Sequence, residues 1–163
     1  MNDLSIFIED MNQEAGLLMS FSNIEEEMLN SISERRWEGL ESIIIRLRKK
    51  SDLLNQAEDK RVQSFELLKT SLGLPTSAGF FKILPLVKEE KRSGLMESYR
   101  KLKLAVYSVK GATLRLSYYF QSLSDTVKKV LGELFPHRKG KLYTQTGELT
   151  KTIDDTLVLN KSL

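Results

Sequence analysis

A heptad repeat of apolar residues runs through most of this chain and constrains its fold more than any other sequence feature. One stripe runs from Trp37 to Leu72 and a second from Leu95 to Leu134, and both alternate in steps of three and four residues. A 3.5-residue spacing keeps one face of an α-helix against a partner helix over many turns. The sequence therefore predicts two long helices, and Trp37 is expected to pack in the core between them.

The segment between the two stripes contains Gly73, Pro75 and Gly79. Glycine suits the position just after a helix end, and proline prevents the helix from continuing. So short a connection makes neighbouring helices antiparallel. We therefore predict an all-α fold dominated by a long antiparallel, coiled-coil-like helical hairpin, with helices of about 50 residues or about 75 Å.

Two charged residues, Glu58 and Arg61, occupy positions of the first stripe where leucine is expected. With the turn centred near Pro75, Glu58 would face Arg92 and Arg61 would face Glu89. The hypothesis is an ionic layer that fixes the register of the hairpin, as polar seam residues do in coiled coils. In the alternative, the helices splay here and all four charges reach water.

An additional N-terminal helical segment is predicted by the apolar stripe over residues 4–18. Ser22 and Glu25 have the spacing of a capping box, which marks a helix start. The stripe also loses phase between Ile32 and Trp37. This helix therefore either breaks near Ser22 or continues with an irregularity.

The second long helix should end at Pro136, because proline stops a helix. The residues from His137 onward are polar and include Gly140 and Gly147. We expect residues 1–136 to form the helical hairpin domain and residues 137–163 a flexible C-terminal tail.

Composition and charge argue against several classes of protein. The chain has no cysteine, so disulfides and thiol chemistry are excluded. No apolar run approaches the roughly 20 residues of a membrane span, and the N-terminus lacks a basic signal region. These features predict a soluble, intracellular protein. Residues 1–34 hold eight acidic and no basic residues, whereas the basic excess of the remainder is dispersed, which disfavours nucleic-acid binding.

Residues able to support catalysis are not grouped in this sequence. The single histidine, His137, has no nearby second ligand for a metal and no partner for a nucleophilic serine. The glycines form neither a dinucleotide fingerprint nor a P-loop. We expect a non-enzymatic protein with no catalytic residues, no metal site and no cofactor.

Two sequence elements resemble the FlgN family of flagellar type III export chaperones. The first is Leu134-Phe135-Pro136-His137-Arg138, followed by Leu142-Tyr143-Thr144-Gln145-Thr146-Gly147. That family ends its last long helix with an L-x-P-H-like segment, which precedes an L-Y-x-x-x-G motif. The second is Glu58-x-x-Arg61, similar to an acid–arginine element of the family's first long helix. The order of elements is similar from about residue 4 to 150.

The resemblance implies a cytoplasmic chaperone that binds the C-terminal helical regions of hook–filament junction proteins, keeps them unpolymerised and delivers them to the export gate. The apolar residues of the second helix would form the client-binding surface; they are Val109, Leu116, Leu123, Val127 and Val130. Tyr143 would correspond to the tyrosine that docks on the cytoplasmic domain of the gate. Thr113 and Leu116 depart from the family, which has seam asparagines in this helix.

Two other functions remain open from the sequence. The heptads alone equally predict a structural coiled-coil adaptor with no role in secretion. A nucleic-acid-binding helical protein is the other alternative, and it predicts binding to DNA that weakens steeply with salt. The sequence also leaves open whether the protein is a monomer or a homodimer.

Overall fold

The computed structural model describes residues 2–134, and within that range the chain is almost entirely helical. Its elements, in chain order, are α1 (Asn2–Ser33), α2 (Leu40–Ser71), two 3₁₀ turns (Phe80–Lys82 and Leu84–Leu86) and α3 (Glu89–Leu134). The described residues contain no β-strand. The predicted all-α class is confirmed. Helices α1 and α2 have 32 residues each and α3 has 46, so α2 is shorter than the predicted length of about 50 residues.

The chain divides into two compact units, residues 1–119 and residues 120–163. The first contains α1, α2, the linker between α2 and α3 (residues 72–88) and the part of α3 that ends at Tyr119. In the second, the structure describes residues 120–134, the last part of α3. The predicted boundary after Pro136 and the predicted C-terminal tail lie outside the described residues.

Helices α1 and α2 pack as a close antiparallel pair. The ring of Phe7 stacks on Phe65 with 5.0 Å between centroids. Near the other end of the pair, both guanidinium nitrogens Nη1 and Nη2 of Arg46 donate to the Glu27 carboxylate, at 3.0 and 2.5 Å. The start of α1 therefore contacts the end of α2, and the end of α1 contacts the start of α2, so the two helices are antiparallel.

The turn between α1 and α2 explains where Trp37 lies. Arg35 and Gly39 both adopt left-handed backbone conformations, with φ of 55° and 86°, and reverse the chain within residues 34–39. Gly39 tolerates this conformation because it has no Cβ. Trp37 lies in the turn and is 61% exposed, so its predicted core position is wrong.

Helix α3 runs parallel to α1 in the first unit and contacts it through polar side chains. The hydroxyls of Ser22 and Ser108 lie 3.0 Å apart, and Thr113 Oγ1 donates to Glu25 Oε1 at 2.8 Å. Since α1 is antiparallel to α2 and parallel to α3, α2 and α3 are antiparallel, as predicted.

These contacts also resolve the alternatives for the N-terminal segment. Helix α1 continues without a break through Ser22 to Ser33. The expected capping box at Ser22 and Glu25 is wrong, because both residues lie in mid-helix and their side chains bond α3 instead. Ser22 and Glu25 have the spacing of a helix start, but here their side chains form contacts between α1 and α3.

The linker anchors one end of the first unit's core. Ile83 and Leu95 are fully buried, and Met11 of α1 is 1% exposed beside them in the same apolar cluster. Phe80 stacks on Tyr99 with 4.0 Å between ring centroids. The irregular sequence between the two stripes thus supplies core side chains, in addition to connecting α2 to α3.

The buried faces of α2 and α3 are centred on small residues. At several layers the buried residue lies one position before the heptad position and has a small side chain; these residues are Ala57, Ser64, Ser98, Ala105 and Ala112. Small side chains let helices approach closely. Val106, which follows Ala105 and occupies a heptad position of the second stripe, is only partly buried.

The predicted ionic layer between α2 and α3 is wrong in its partners. Arg61 bonds Glu14 of α1 through its Nε. Arg92 instead donates from Nε to the backbone carbonyl of Val87 at 2.8 Å. The Glu58 side chain is 62% exposed, with its Oε1 3.9 Å from Arg61 Nη2. The polar layer exists, but it joins α2 to α1.

Candidate protein-binding surface

The five predicted client-binding residues fall into two groups. Val109 and Leu116 lie in the first unit and are partly buried. Leu123, Val127 and Val130 lie in the second unit, with 37%, 55% and 47% of their surfaces exposed. The second group is accessible to a partner, whereas the first is partly covered by its own unit.

Every described residue of the second unit is exposed, including its apolar residues. We call the apolar residues that follow the heptad spacing the C-terminal stripe; they are Phe120, Leu123, Val127, Val130 and Leu134. Leu131 lies beside them and is 51% exposed. Fifteen helical residues span about 22 Å. An apolar stripe of this length on an exposed helix is a typical docking surface for another amphipathic helix.

The charges around the C-terminal stripe are balanced. Asp125 and Glu133 offset Lys128 and Lys129 within residues 120–134. Gln121 Nε2 donates to Asp125 Oδ1 at 3.2 Å on the surface of the helix. Because the segment has no net charge, its affinity for a partner would come mainly from apolar burial, at about 25 cal/mol per Å².

The sequence-based prediction included Leu123, Val127 and Val130 but not Phe120, Leu131 and Leu134, which are also exposed in this unit. Phe120 and Leu134 belong to the same heptad series and could have been included on spacing alone. Leu131 falls between seam positions and has no such signal. Tyr143, the predicted gate-docking residue, lies outside the described residues.

Comparison of this chain with protein-family models, with curated proteins and with solved structures gives no significant match in any of the three. Residues 2–134 contain no group of three or more His, Asp or Glu side chains placed to hold a metal ion. None of the described helices is both long and apolar enough to cross a membrane.

The contact between α1 and α3 contains a buried carboxyl, that of Glu25. Its Oε1 accepts from Thr113, while its Oε2 is buried and has no hydrogen-bond partner among the described residues. Burial raises the pKa of Glu25 above its usual value, against the opposing effects of the Thr113 hydrogen bond and the positive charge of Arg115. The ionised form is therefore disfavoured in the fold.

Glu25→Gln should increase the free energy of unfolding at neutral pH by about 1 kcal/mol, because glutamine keeps an acceptor for Thr113 without a buried charge. A carboxyl whose pKa is raised in the folded state contributes to the stability of the protein at low pH. That contribution is lost as the pH rises through the raised pKa. The advantage of the variant should therefore shrink as pH falls toward the usual range for glutamate. Urea unfolding of wild type and Glu25→Gln at several pH values measures this difference in the free energy of unfolding.

Glu9→Gln is the matched control, because Glu9 lies on the same helix and is exposed. It should change stability little at any pH. A Glu25→Gln protein less stable than wild type at neutral pH would contradict this prediction, since it would mean that an unpaired amide at the Oε2 position costs more than the buried charge.

Proposed function

We propose that this protein is a cytoplasmic flagellar export chaperone that binds the C-terminal helical regions of hook–filament junction proteins and delivers them to the type III export gate. The observation that carries the binding part is the C-terminal stripe, a heptad row of apolar side chains exposed along α3. The identity of the client comes from the sequence resemblance at residues 134–147.

An exposed heptad row favours a helical client over other partners. A client helix with its own apolar stripe can interdigitate with the row, since both repeat every 3.5 residues. Burying a half-exposed valine or leucine contributes a favourable term of about 1 kcal/mol. Several such residues together are enough for a specific complex, because a few buried anchors supply most of the affinity in an interface.

Holding the client's terminal helix would also prevent polymerisation, if subunits use that same apolar face to pack against one another. The chaperone would cover the face until export begins. This requires reversible binding, which suits a surface built from one helix.

Direct titration tests this function. Calorimetry measures the titration of the full-length protein with the C-terminal helical region of a hook–filament junction protein. A flagellin fragment of equal length serves as the comparison. Binding only to the junction protein supports the proposal. Association of the protein with itself through the C-terminal stripe, with no binding of either fragment, would favour the coiled-coil adaptor instead.

Tyr143→Ala should weaken docking of the client-loaded protein on the cytoplasmic domain of the gate by about 2 kcal/mol, the usual scale of an interface hot spot. Tyrosine offers a large apolar ring and a hydroxyl at low entropic cost. Client affinity should not change. Titration of both loaded proteins against the gate domain measures the difference.

Tyr143→Phe is the matched variant, since it keeps the ring and removes only the hydroxyl. Intermediate docking by this variant would separate the two contributions. Equal affinity of wild type and Tyr143→Ala would remove Tyr143 from the docking site while leaving client binding to be judged separately.

A further inference from the structure

A second exposed row of side chains runs along α3 within the first unit. We call it the outer stripe; it consists of Leu104, Tyr107, Gly111, Leu114 and Tyr118, spaced by three and four residues. Its four side chains are 68%, 58%, 55% and 72% exposed, in chain order. Large side chains this exposed and this regularly spaced are uncommon on a surface without a partner.

The outer stripe faces away from the unit's own core. Tyr107 follows the buried Ala105 by two residues, and Leu114 follows the buried Ala112 by two. Two residues correspond to about 200° around a helix. Packing inside the unit therefore does not explain the stripe, which lies on the opposite side of α3 from the buried Ala105 and Ala112.

Glycine at the centre of the outer stripe is the second unusual feature. Glycine inside a helix costs about 0.5–1 kcal/mol relative to alanine. A Cβ on Gly111 would meet only the end of the flexible Arg115 side chain, at 3.3 Å, so internal packing does not require glycine. A seam position without a side chain allows the backbone of a second helix to approach closely.

Basic residues outnumber acidic ones on the part of α3 that carries the outer stripe. Between Glu97 and Asp125, α3 carries five basic residues and no acidic one. Within the described residues, Arg115 pairs with Glu26 and Lys101 with Glu97.

Lys103 and Lys110 belong to neither pair. They lie one heptad apart, each directly before a stripe position. Together with Tyr107 they line a groove of about 350 Å³, whose other wall holds Arg61 and the two acidic residues Glu14 and Glu58.

We propose that the outer stripe is the docking site for an acidic amphipathic helix of a partner protein. The apolar row would pack against the partner's seam, and Lys103 and Lys110 would face acidic flanking residues, the arrangement by which coiled coils select partners. A second copy of this chain docked through the same stripe would bring lysines, not acidic residues, to the interface. The row is also narrow, whereas membrane-surface helices present a broad apolar face. This inference does not depend on the C-terminal stripe.

The test uses two synthetic helices of three heptads, about 21 residues each. Both have leucine at the seam positions, and they differ only in having glutamate or lysine at the flanks. Fluorescence anisotropy with the full-length protein should show the acidic peptide binding roughly tenfold more tightly than the basic one. Lys103→Glu with Lys110→Glu should reverse that preference.

Leu104→Ser with Leu114→Ser should weaken binding of the acidic peptide roughly tenfold, since the seam loses two anchors. The matched control for charge is Lys49→Glu with Lys60→Glu, which changes net charge equally on α2 and should leave the preference intact. Circular dichroism verifies that all variants keep the wild-type helix content.

Three results would overturn the proposal. The first is no binding of the acidic peptide, or equal binding of both peptides. The second is a dimer in analytical ultracentrifugation that the leucine substitutions dissociate, which assigns the stripe to a second copy. The third is tight binding to phosphatidylserine vesicles that the same substitutions abolish, together with weak peptide binding.

Discussion

A protein carrying Val127→Asp and Val130→Asp should bind its helical client at least about 100-fold more weakly than wild type and keep its helix content. Both side chains are about half exposed, so neither substitution buries a charge in the free protein. In the complex, each carboxylate would be placed in an apolar seam without a partner, and desolvating it is costly. Calorimetry with the client and circular dichroism measure the two effects.

Ser122→Asp with Gly132→Asp is the matched control. It adds the same charge to the same segment of α3 but at positions off the stripe, and a side chain at Gly132 meets no neighbour within 4 Å. Its client affinity should stay near that of wild type. Unchanged affinity in the Val127/Val130 variant would move the client site elsewhere, whereas a loss of helix content would make these valines structural.

The long helices could be predicted from the sequence because their apolar periodicity extends over several heptads. Gly73 and Pro75 also marked the end of α2 correctly, since that helix ends at Ser71. The sequence rules are strongest for such local features, which depend on neighbours in the chain.

The pairing of the helices was harder to predict. Reasoning from the turn at Pro75 paired α2 with α3, but the close partner of α2 is α1. The loss of phase between Ile32 and Trp37 was visible in the sequence, but it was interpreted as a break near Ser22 or an irregularity within a continuing helix. It marks the turn between α1 and α2. Glu14 then comes to face Arg61, a contact between residues 47 positions apart that no local rule identifies.

The choice of buried face shows a second limit of periodicity. Apolar spacing gives most weight to large residues such as Val106, whereas the structure buries the preceding Ala105. Small residues carry little hydrophobic signal, yet they decide how closely two helices approach. The same bias hid the outer stripe, because apolar residues off the predicted seam, such as Leu104, were not considered as a set.

The candidate site was predictable only in part for a related reason. Heptad spacing is the same in a covered and an uncovered portion of a helix, so it could not separate Leu116 from Val127. That distinction depends on which other residues lie nearby in space, and the structure supplies it.

Arg61→Ala should lower the free energy of unfolding by about 3 kcal/mol, since it leaves the buried carboxylate of Glu14 without its cation. The Glu14 side chain is only 9% exposed and that of Arg61 23%. Burial already raises the pKa of Glu14 above its usual value, even though the hydrogen bond and the charge of Arg61 oppose that rise. Removing Arg61 should raise this pKa further, so that protonation relieves the variant.

Urea unfolding of wild type and Arg61→Ala at neutral pH and at about pH 5 measures both effects. Stability associated with a raised carboxyl pKa is present at low pH and lost as pH rises, so the deficit of Arg61→Ala should be smaller at the lower pH. Adding Glu14→Leu should recover part of the lost stability, because it removes the buried carboxylate that Arg61→Ala leaves without a cation. A deficit that stays constant with pH and persists in the double variant would mean that Arg61 stabilises the bundle through packing of its aliphatic stem instead.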